Sequence, residues 1–176
     1  MGAKWSDWEQ DSPENPVLGE HVSERAVIYM VMFVDEYERQ LDERGRIILP
    51  SKLREAVSGT VYITQSPSEK CLHLYTAEEW ERLAEKVSQL PTATDGNAAA
   101  FVRHFFGKAT AVTVDKQGRI PIAKRLVDYA GLKKDAMLIG ANTRLEIWDA
   151  ETWDRYQKAL GDSFMTDGIL KYNLNI

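Results

Sequence analysis

The chain repeats itself. Asp42 returns as Asp115, 73 positions on, and the same spacing links Gly45 to Gly118, Arg46 to Arg119, Ile47 to Ile120 and Leu53 to Leu126. It holds without a gap through Leu72 and Leu145, Ala77 and Ala150, Trp80 and Trp153, and Arg82 and Arg155. A single offset kept over roughly forty residues marks a tandem duplication. Each half must then build the same supersecondary unit, and 176 residues suffice for two such lobes around a shared core.

Both copies follow one order of elements. A strand is expected over Phe33–Leu41 and again over Thr110–Val114. A polar turn follows, Asp42-Glu43-Arg44-Gly45 or Asp115-Lys116-Gln117-Gly118. Glycine there supplies the positive φ of a tight hairpin, and aspartate can accept from the turn's own amides. A second strand starts at Arg46 or Arg119, and short helical turns are expected over Ser51–Ala56 and Ala123–Tyr129. Strand pairs come next: Val61–Thr64 with Cys71–Tyr75, and Ala136–Ile139 with Arg144–Trp148, with Gly140-Ala141-Asn142 read as the turn. A helix closes each copy. The first starts at Thr76, with Glu79 three residues on as in a capping box, and places Trp80, Leu83, Ala84 and Val87 on one face. The second starts at Asp149 and carries Trp153, Tyr156 and Leu160. Between the copies, Ala98, Phe101, Val102 and Phe105 form a helical stripe that ends at Gly107 and is expected to pack on the core.

This pattern predicts an α+β fold divided as an acidic, flexible extension (1–31), a first repeat (35–80), linking helices (81–108), a second repeat (109–153), and a C-terminal helix and tail (154–176). The net charge of −5 at first argues against nucleic acid. Its distribution changes that. Residues 1–31 carry −4, whereas the stretch from Asp42 to Arg54 carries +2 and that from Asp115 to Val127 carries +3. Positive charge is therefore concentrated on the repeated turns, and fields reach only about 8–10 Å through salt solution, so local patches can bind phosphate.

Spacing alone leaves two roles open for the Asp-x-x-Gly-Arg turns. Arg46 and Arg119, with Arg44 beside the first, can project from a rigid β edge toward DNA, where the planar guanidinium suits phosphate oxygens and the guanine edge. Alternatively, each arginine simply ties its hairpin to Asp42 or Asp115. The aspartates, with Gly45 and Gly118, are read as builders of the turn, because an acid repels phosphate. Lys52, Arg54, Lys116, Lys124 and Arg125 are candidates for positioning on the DNA backbone, or are solvated surface.

The stretch from Met32, MFVDEYERQLDERGRIILPSKLRE, resembles the opening of the MraZ family. AVTVDKQGRIPIAKRLVDYAGL resembles that family's second motif, and LEIWDAETWDRY its C-terminal segment. The resemblance implies two AbrB-like swapped-hairpin repeats forming a pseudo-two-fold barrel with flanking helices. It further implies a transcriptional regulator that assembles into a ring, binds direct repeats in double-stranded DNA upstream of a division and cell-wall gene cluster, and associates with the nucleoid in the cytoplasm. Arg46 and Arg119 match the family's motif arginines, which assigns them to DNA contact. Three departures stand out. Residues 1–31 precede the usual start, as a true tail or from an early start codon. Pro121 must face a strand edge, since it has no N–H to donate. Val127 stands where Arg54 stands in the first copy, so the second element is expected to touch DNA less strongly.

Other classes find little support. No run of apolar residues is long enough for a membrane helix, and the N-terminus does not read as a signal peptide. The single cysteine, Cys71, suits a reducing compartment and a buried strand position. His21, His73 and His104 show no metal-ligand spacing with it. No phosphate-binding loop or dinucleotide fingerprint occurs. An enzyme, a metal, a cofactor and a small-molecule substrate are therefore not expected. The competing readings are an oligomeric protein-interaction scaffold and an antitoxin-like partner of AbrB fold.

Overall fold

A computed structural model describes residues 32–54 and 57–175. The 1–31 segment lies outside the described residues. In the first copy, β1 (Glu36–Gln40) and β2 (Arg46–Ile48) flank the polar turn, and α1 (Ser51–Arg54) follows. Then come β3 (Thr60–Gln65), β4 (Leu72–Thr76) and α2 (Ala77–Ser88), with α3 (Gly96–Gly107) as the link. The second copy supplies β5 (Thr110–Thr113), β6 (Arg119–Pro121), α4 (Lys124–Ala130), β7 (Asp135–Ala141), β8 (Arg144–Asp149) and α5 (Ala150–Leu160), and α6 (Phe164–Tyr172) ends the described chain.

The strands do not pair within their own copies alone. The main sheet runs β1-β7-β8-β4-β3-β5, antiparallel throughout, and β2 pairs with β6 in a separate two-stranded ribbon. Thus β1 leaves its repeat to pair with β7, and β5 returns the exchange on β3. The class is α+β. Among the described residues the hydrogen-bonded ladder does not close into a barrel: β1 and β5 end the sheet, and each passes through a polar turn into the ribbon.

A pseudo-two-fold axis follows from the register. Ile47 faces Ile120 in the ribbon, and His73 faces Glu146 in the sheet, and in both pairs the residues are 73 apart. Equivalent residues of the two copies therefore meet at the axis. Strand periodicity sends Leu72, Leu74, Leu145 and Ile147 to the core face, where they join Ile47, Leu49, Leu53, Ile120, Ile122 and Leu126 in one buried cluster. Full burial of such a side chain is worth about 1.5–3 kcal/mol, so the shared core fuses the copies into one cooperative unit.

The outer face of the sheet is covered separately on each side. Tyr75, Trp80 and Phe105 pack with Tyr62 beneath α2 and α3, and Trp148 packs with Trp153 and Tyr156 beneath α5. The linking helix thus packs on this outer layer and not on the main core: Phe105 is buried and its carbonyl accepts from the Thr64 hydroxyl, while Phe101 is 43% exposed. Helix starts follow the capping residues. The Thr76 hydroxyl accepts from the Glu79 amide, and the Asp149 carboxylate accepts from the Thr152 amide. The Glu79 carboxylate accepts from Arg82 at 2.7 Å, so the first helix carries only half of the expected capping box.

Two local expectations need correction. Gly140 and Ala141 belong to β7, and the hairpin turns at Asn142 and Thr143, with Asn142 at φ 61°. Gly140 is glycine for another reason: a Cβ there would lie 2.4 Å from the Val34 backbone nitrogen. A glycine inside a strand marks such a close approach. The first strand is also shorter than Phe33–Leu41, because Asp35 adopts φ 78° and breaks it, leaving Phe33 bridged to Asn142.

Candidate nucleic-acid interface

Each polar turn is latched by its own aspartate. One oxygen of Asp42 accepts from the amides of Arg44 and Arg46, both at 2.9 Å, and the other accepts from Arg46 Nε at 2.7 Å and Nη2 at 2.6 Å. The second turn repeats the pattern: Asp115 accepts from the amides of Gln117 and Arg119 at 2.8 and 2.9 Å, and from Arg119 Nε at 2.6 Å. Gly45 at φ 68° and Gly118 at φ 76° provide the left-handed residue that closes each turn. The Arg46 side chain and amide hold the Asp42 carboxyl below its ordinary range; for Asp115 the Arg119 amide acts first and the side chain second. The arginines are therefore tied as the second of the two sequence roles requires. The tie still leaves chemistry free: among the described residues Arg46 Nη1 and both Nη atoms of Arg119 have no hydrogen-bond partner. The outer edge of each guanidinium remains open.

The turns sit at the two ends of the β2–β6 ribbon and brace one another. The Gly45 carbonyl accepts from the Ile122 amide at 2.9 Å, and the Gly118 carbonyl accepts from the Leu49 amide at 2.8 Å. With Ile47 and Ile120 buried, period-two alternation places Arg46, Ile48, Arg119 and Pro121 on the outward face. Pro121 is tolerated because Arg46, its partner in register, directs both backbone groups to Asp42. The pair is thus a non-hydrogen-bonded one, and the proline nitrogen faces the ribbon's free edge.

The remaining candidate cations divide into groups. Arg44 and Lys116 stand exposed at the turn tips with no side-chain partner among the described residues. Lys52 is exposed and 3.8 Å from Asp35. Lys124 pairs with Asp128 at 3.0 Å, and Arg125 donates to the carbonyls of Lys108 and Ala109 and to the Thr110 hydroxyl. These last two sit on α4, and Arg125 ties that helix to the start of β5. Arg54 is the unexpected case. Its Nε donates to the Leu49 carbonyl at 3.1 Å, and its side chain lies across Gly118 of the second turn. The expectation that the second element touches DNA less strongly assumed that Arg54 serves its own repeat. The exchange of strands carries it to the other.

A second cluster was missed in the sequence. Cys71, just before β4, and His73, two positions on within it, are joined by Glu146 across the axis, with their donor atoms all within 4.8 Å. The expectation that the histidines show no metal-ligand spacing with Cys71 is corrected for His73, whose ring lies beside the thiol. The cluster satisfies itself with protein groups: Arg144 donates to Glu146 Oε1 at 2.7 and 3.0 Å, Trp148 Nε1 donates to Oε2 at 3.0 Å, and the Tyr75 hydroxyl lies 3.2 Å from His73 Nδ1. Burial pushes the Cys71 thiol up to about 12, with the Glu146 charge adding to it. Burial and the Arg144 charge push His73 down to about 4, against the opposing pull of Glu146. The 3.5 Å His73–Glu146 contact is therefore neutral imidazole against carboxylate at pH 7 and not an ion pair. The signal available in the sequence was the offset itself, since residues 73 apart must meet where two equivalent strands cross the axis.

Two copies of one turn, each latched by its aspartate and placed at the ends of an exchanged ribbon, are matched by one protein family. The family described as "MraZ protein, putative antitoxin-like" matches residues 32–103 and 105–168. The chain belongs to the MraZ family. Among curated proteins it is 46% identical over 135 residues to the transcriptional regulator MraZ of Acetivibrio thermocellus, covering 77% of this chain and 91% of the relative. It is 44% identical to the protein of the same name from Clostridium tetani, covering 73% and 89%, and 43% identical to that of Clostridium acetobutylicum, covering 74% and 91%. Residues 32–168 thus span both latched turns and the helices that flank them. No helix among the described residues is long and apolar enough to cross a membrane.

Proposed function

We propose that this MraZ-family protein is a transcriptional regulator, as its relatives are named, that it acts by binding DNA sequence-specifically, and that the β2–β6 ribbon is the element that reads DNA. The supporting observation is that two aspartate-latched arginines with open outer edges project from one two-stranded ribbon, between exposed Arg44 and Lys116. A two-stranded ribbon fits the major groove, and a guanidinium edge pairs with guanine O6 and N7. The latch strengthens this reading: an arginine already oriented loses less freedom on binding than a mobile one. Lys52, Arg54, Lys116, Lys124 and Arg125 would lie toward the backbone phosphates.

In this reading the two AbrB-like repeats act in a closed ring of identical chains, in the cytoplasm at the nucleoid. The ring binds direct repeats upstream of the division and cell-wall gene cluster. Repeated turns on repeated subunits gain affinity by effective concentration when the DNA repeats share their spacing. The test is a gel shift on the DNA upstream of the protein's own gene cluster. Arg46→Gln and Arg119→Gln should each weaken binding by about 1–3 kcal/mol, roughly 5- to 150-fold, and relax base preference. Arg155→Ala, on α5, should not. Equal affinity of all three variants, with folding intact, would remove the arginines from the interface. Retention of a protein ligand without any shifted DNA would favour the scaffold reading.

A further inference from the structure

The duplication offset pairs two surface clefts. One, of about 180 Å³, lies beside the second turn and is lined by Arg54, Val57, Gly59, Asp115, Lys116 and Gly118. The other lies beside the first turn, where Leu132, Asp42, Glu43, Gly45 and Val127 occupy the equivalent positions. They share a position beside their turns but neither size nor chemistry: the first cleft holds about 770 Å³. Arg54 is replaced by Val127, and Lys116 by Glu43. Lys133 and Lys134 also line the first cleft, but Lys133 is held by Glu151 at 2.6 Å.

The second cleft is built around its arginine. The Arg54 Nε is fixed on the Leu49 carbonyl, and the side chain lies so flat on Gly118 that a Cβ there would meet Nε at 2.5 Å and Cδ at 2.8 Å. Among the described residues its Nη atoms have no partner. Lys116, on the same cleft, has none either. Among the described residues the only acid lining it, Asp115, is paired with Arg119 at 2.6 Å and accepts two backbone amides. Two unpaired cations around a small open cleft, with the local acid already compensated, suit one tetrahedral phosphodiester.

We propose that Arg54 and Lys116 form a clamp for a backbone phosphate of duplex DNA at the second turn, a site the first turn lacks. This rests on the DNA-binding reading above. The ribbon therefore sits on DNA with unequal ends: the second turn anchors the backbone, and the first contributes mainly through Arg46 and Arg44. Because the clamp's arginine comes from the first repeat and its lysine from the second, the site exists only in the strand-exchanged fold.

The experiment measures affinity of the full chain against salt, on the upstream duplex and on a scrambled duplex of equal length. Arg54→Gln and Lys116→Gln should each lower the slope of log affinity against log salt by about 0.9, and weaken both duplexes by the same factor. Arg54→Lys keeps the charge and should keep the slope. Val127→Arg with Glu43→Lys should transplant the clamp and raise the slope, because a Cβ at Gly45 meets only the Ile122 carbonyl at 3.4 Å and leaves room for the side chain. Wild-type protein that shifts neither duplex would overturn the DNA reading itself. Wild-type binding with unchanged slopes in Arg54→Gln and Lys116→Gln overturns the clamp alone. So does an Arg54→Lys slope that falls as far as that of Arg54→Gln, since the effect would then come from the fold and not from charge.

Discussion

At the residue scale, the same side chain can serve structure and recognition without conflict. Arg46 and Arg119 each spend their inner edge on an aspartate that also accepts two amides, and keep the outer edge open. Both alternatives left open by the spacing are thus compatible, because a guanidinium has five donors and the latch uses few of them. His73 makes a contrasting case, a titratable group held neutral by burial. Its folded value, about 4, lies below the ordinary 6.5, so the unfolded chain takes up a proton before the folded one does. The stability it contributes is complete above about pH 6.5 and erodes as pH falls toward 4. The denaturation midpoint should drop between pH 7 and pH 5, by a free energy on the order of 2 kcal/mol, and the drop should shrink in His73→Gln. A resonance assigned to His73 that titrates near 6.5 in the folded protein would contradict this.

At the scale of elements, most strands and helices could be read directly from the chain. Period-two runs such as Thr60–Gln65 and capping residues such as Thr76 and Asp149 act over a few neighbours, so the sequence carries their signal locally. Gly140 failed this reading because its requirement is set by Val34, a residue more than a hundred positions earlier. Local rules make a glycine before Asn142 a turn; the tertiary fold makes it a strand residue with another backbone against it. Gly140→Ala should therefore destabilise far beyond the usual strand penalty for exchanging these residues, by at least about 2 kcal/mol, because the obstacle is main chain that cannot rotate away. Gly107→Ala, where a Cβ meets nothing within 4 Å, is the control. Equal midpoints in urea for the two variants would refute the account of Gly140.

At the scale of the whole molecule, the turns of the candidate interface were legible and their assignment was not. Asp42, Gly45 and Arg46 announce a latched hairpin by type and spacing. That Arg54 completes the turn at Gly118, and that His73 meets Glu146, depends on which strand pairs with which, and pairing between copies leaves no mark within either. The exchange also predicts how half the chain behaves. Residues 32–108 contain β1 without β7 and β3 without β5, so the piece exposes two strand edges that its own sequence is shaped to fill. It should fold only as a homodimer, each copy lending β1 to the other's β3; a folded monomer by sedimentation would refute the exchange.

That β2 and β6 share one ribbon while Arg54 reaches the opposite turn has a consequence for descent. Once the two copies were joined, a substitution at position 54 was tested against position 118, and one at 127 against position 45. Selection therefore acts across the halves as well as within them. A hybrid gene joining the first half of one relative to the second half of another would inherit well-formed turns, yet place each beside a neighbour with which it has no shared history.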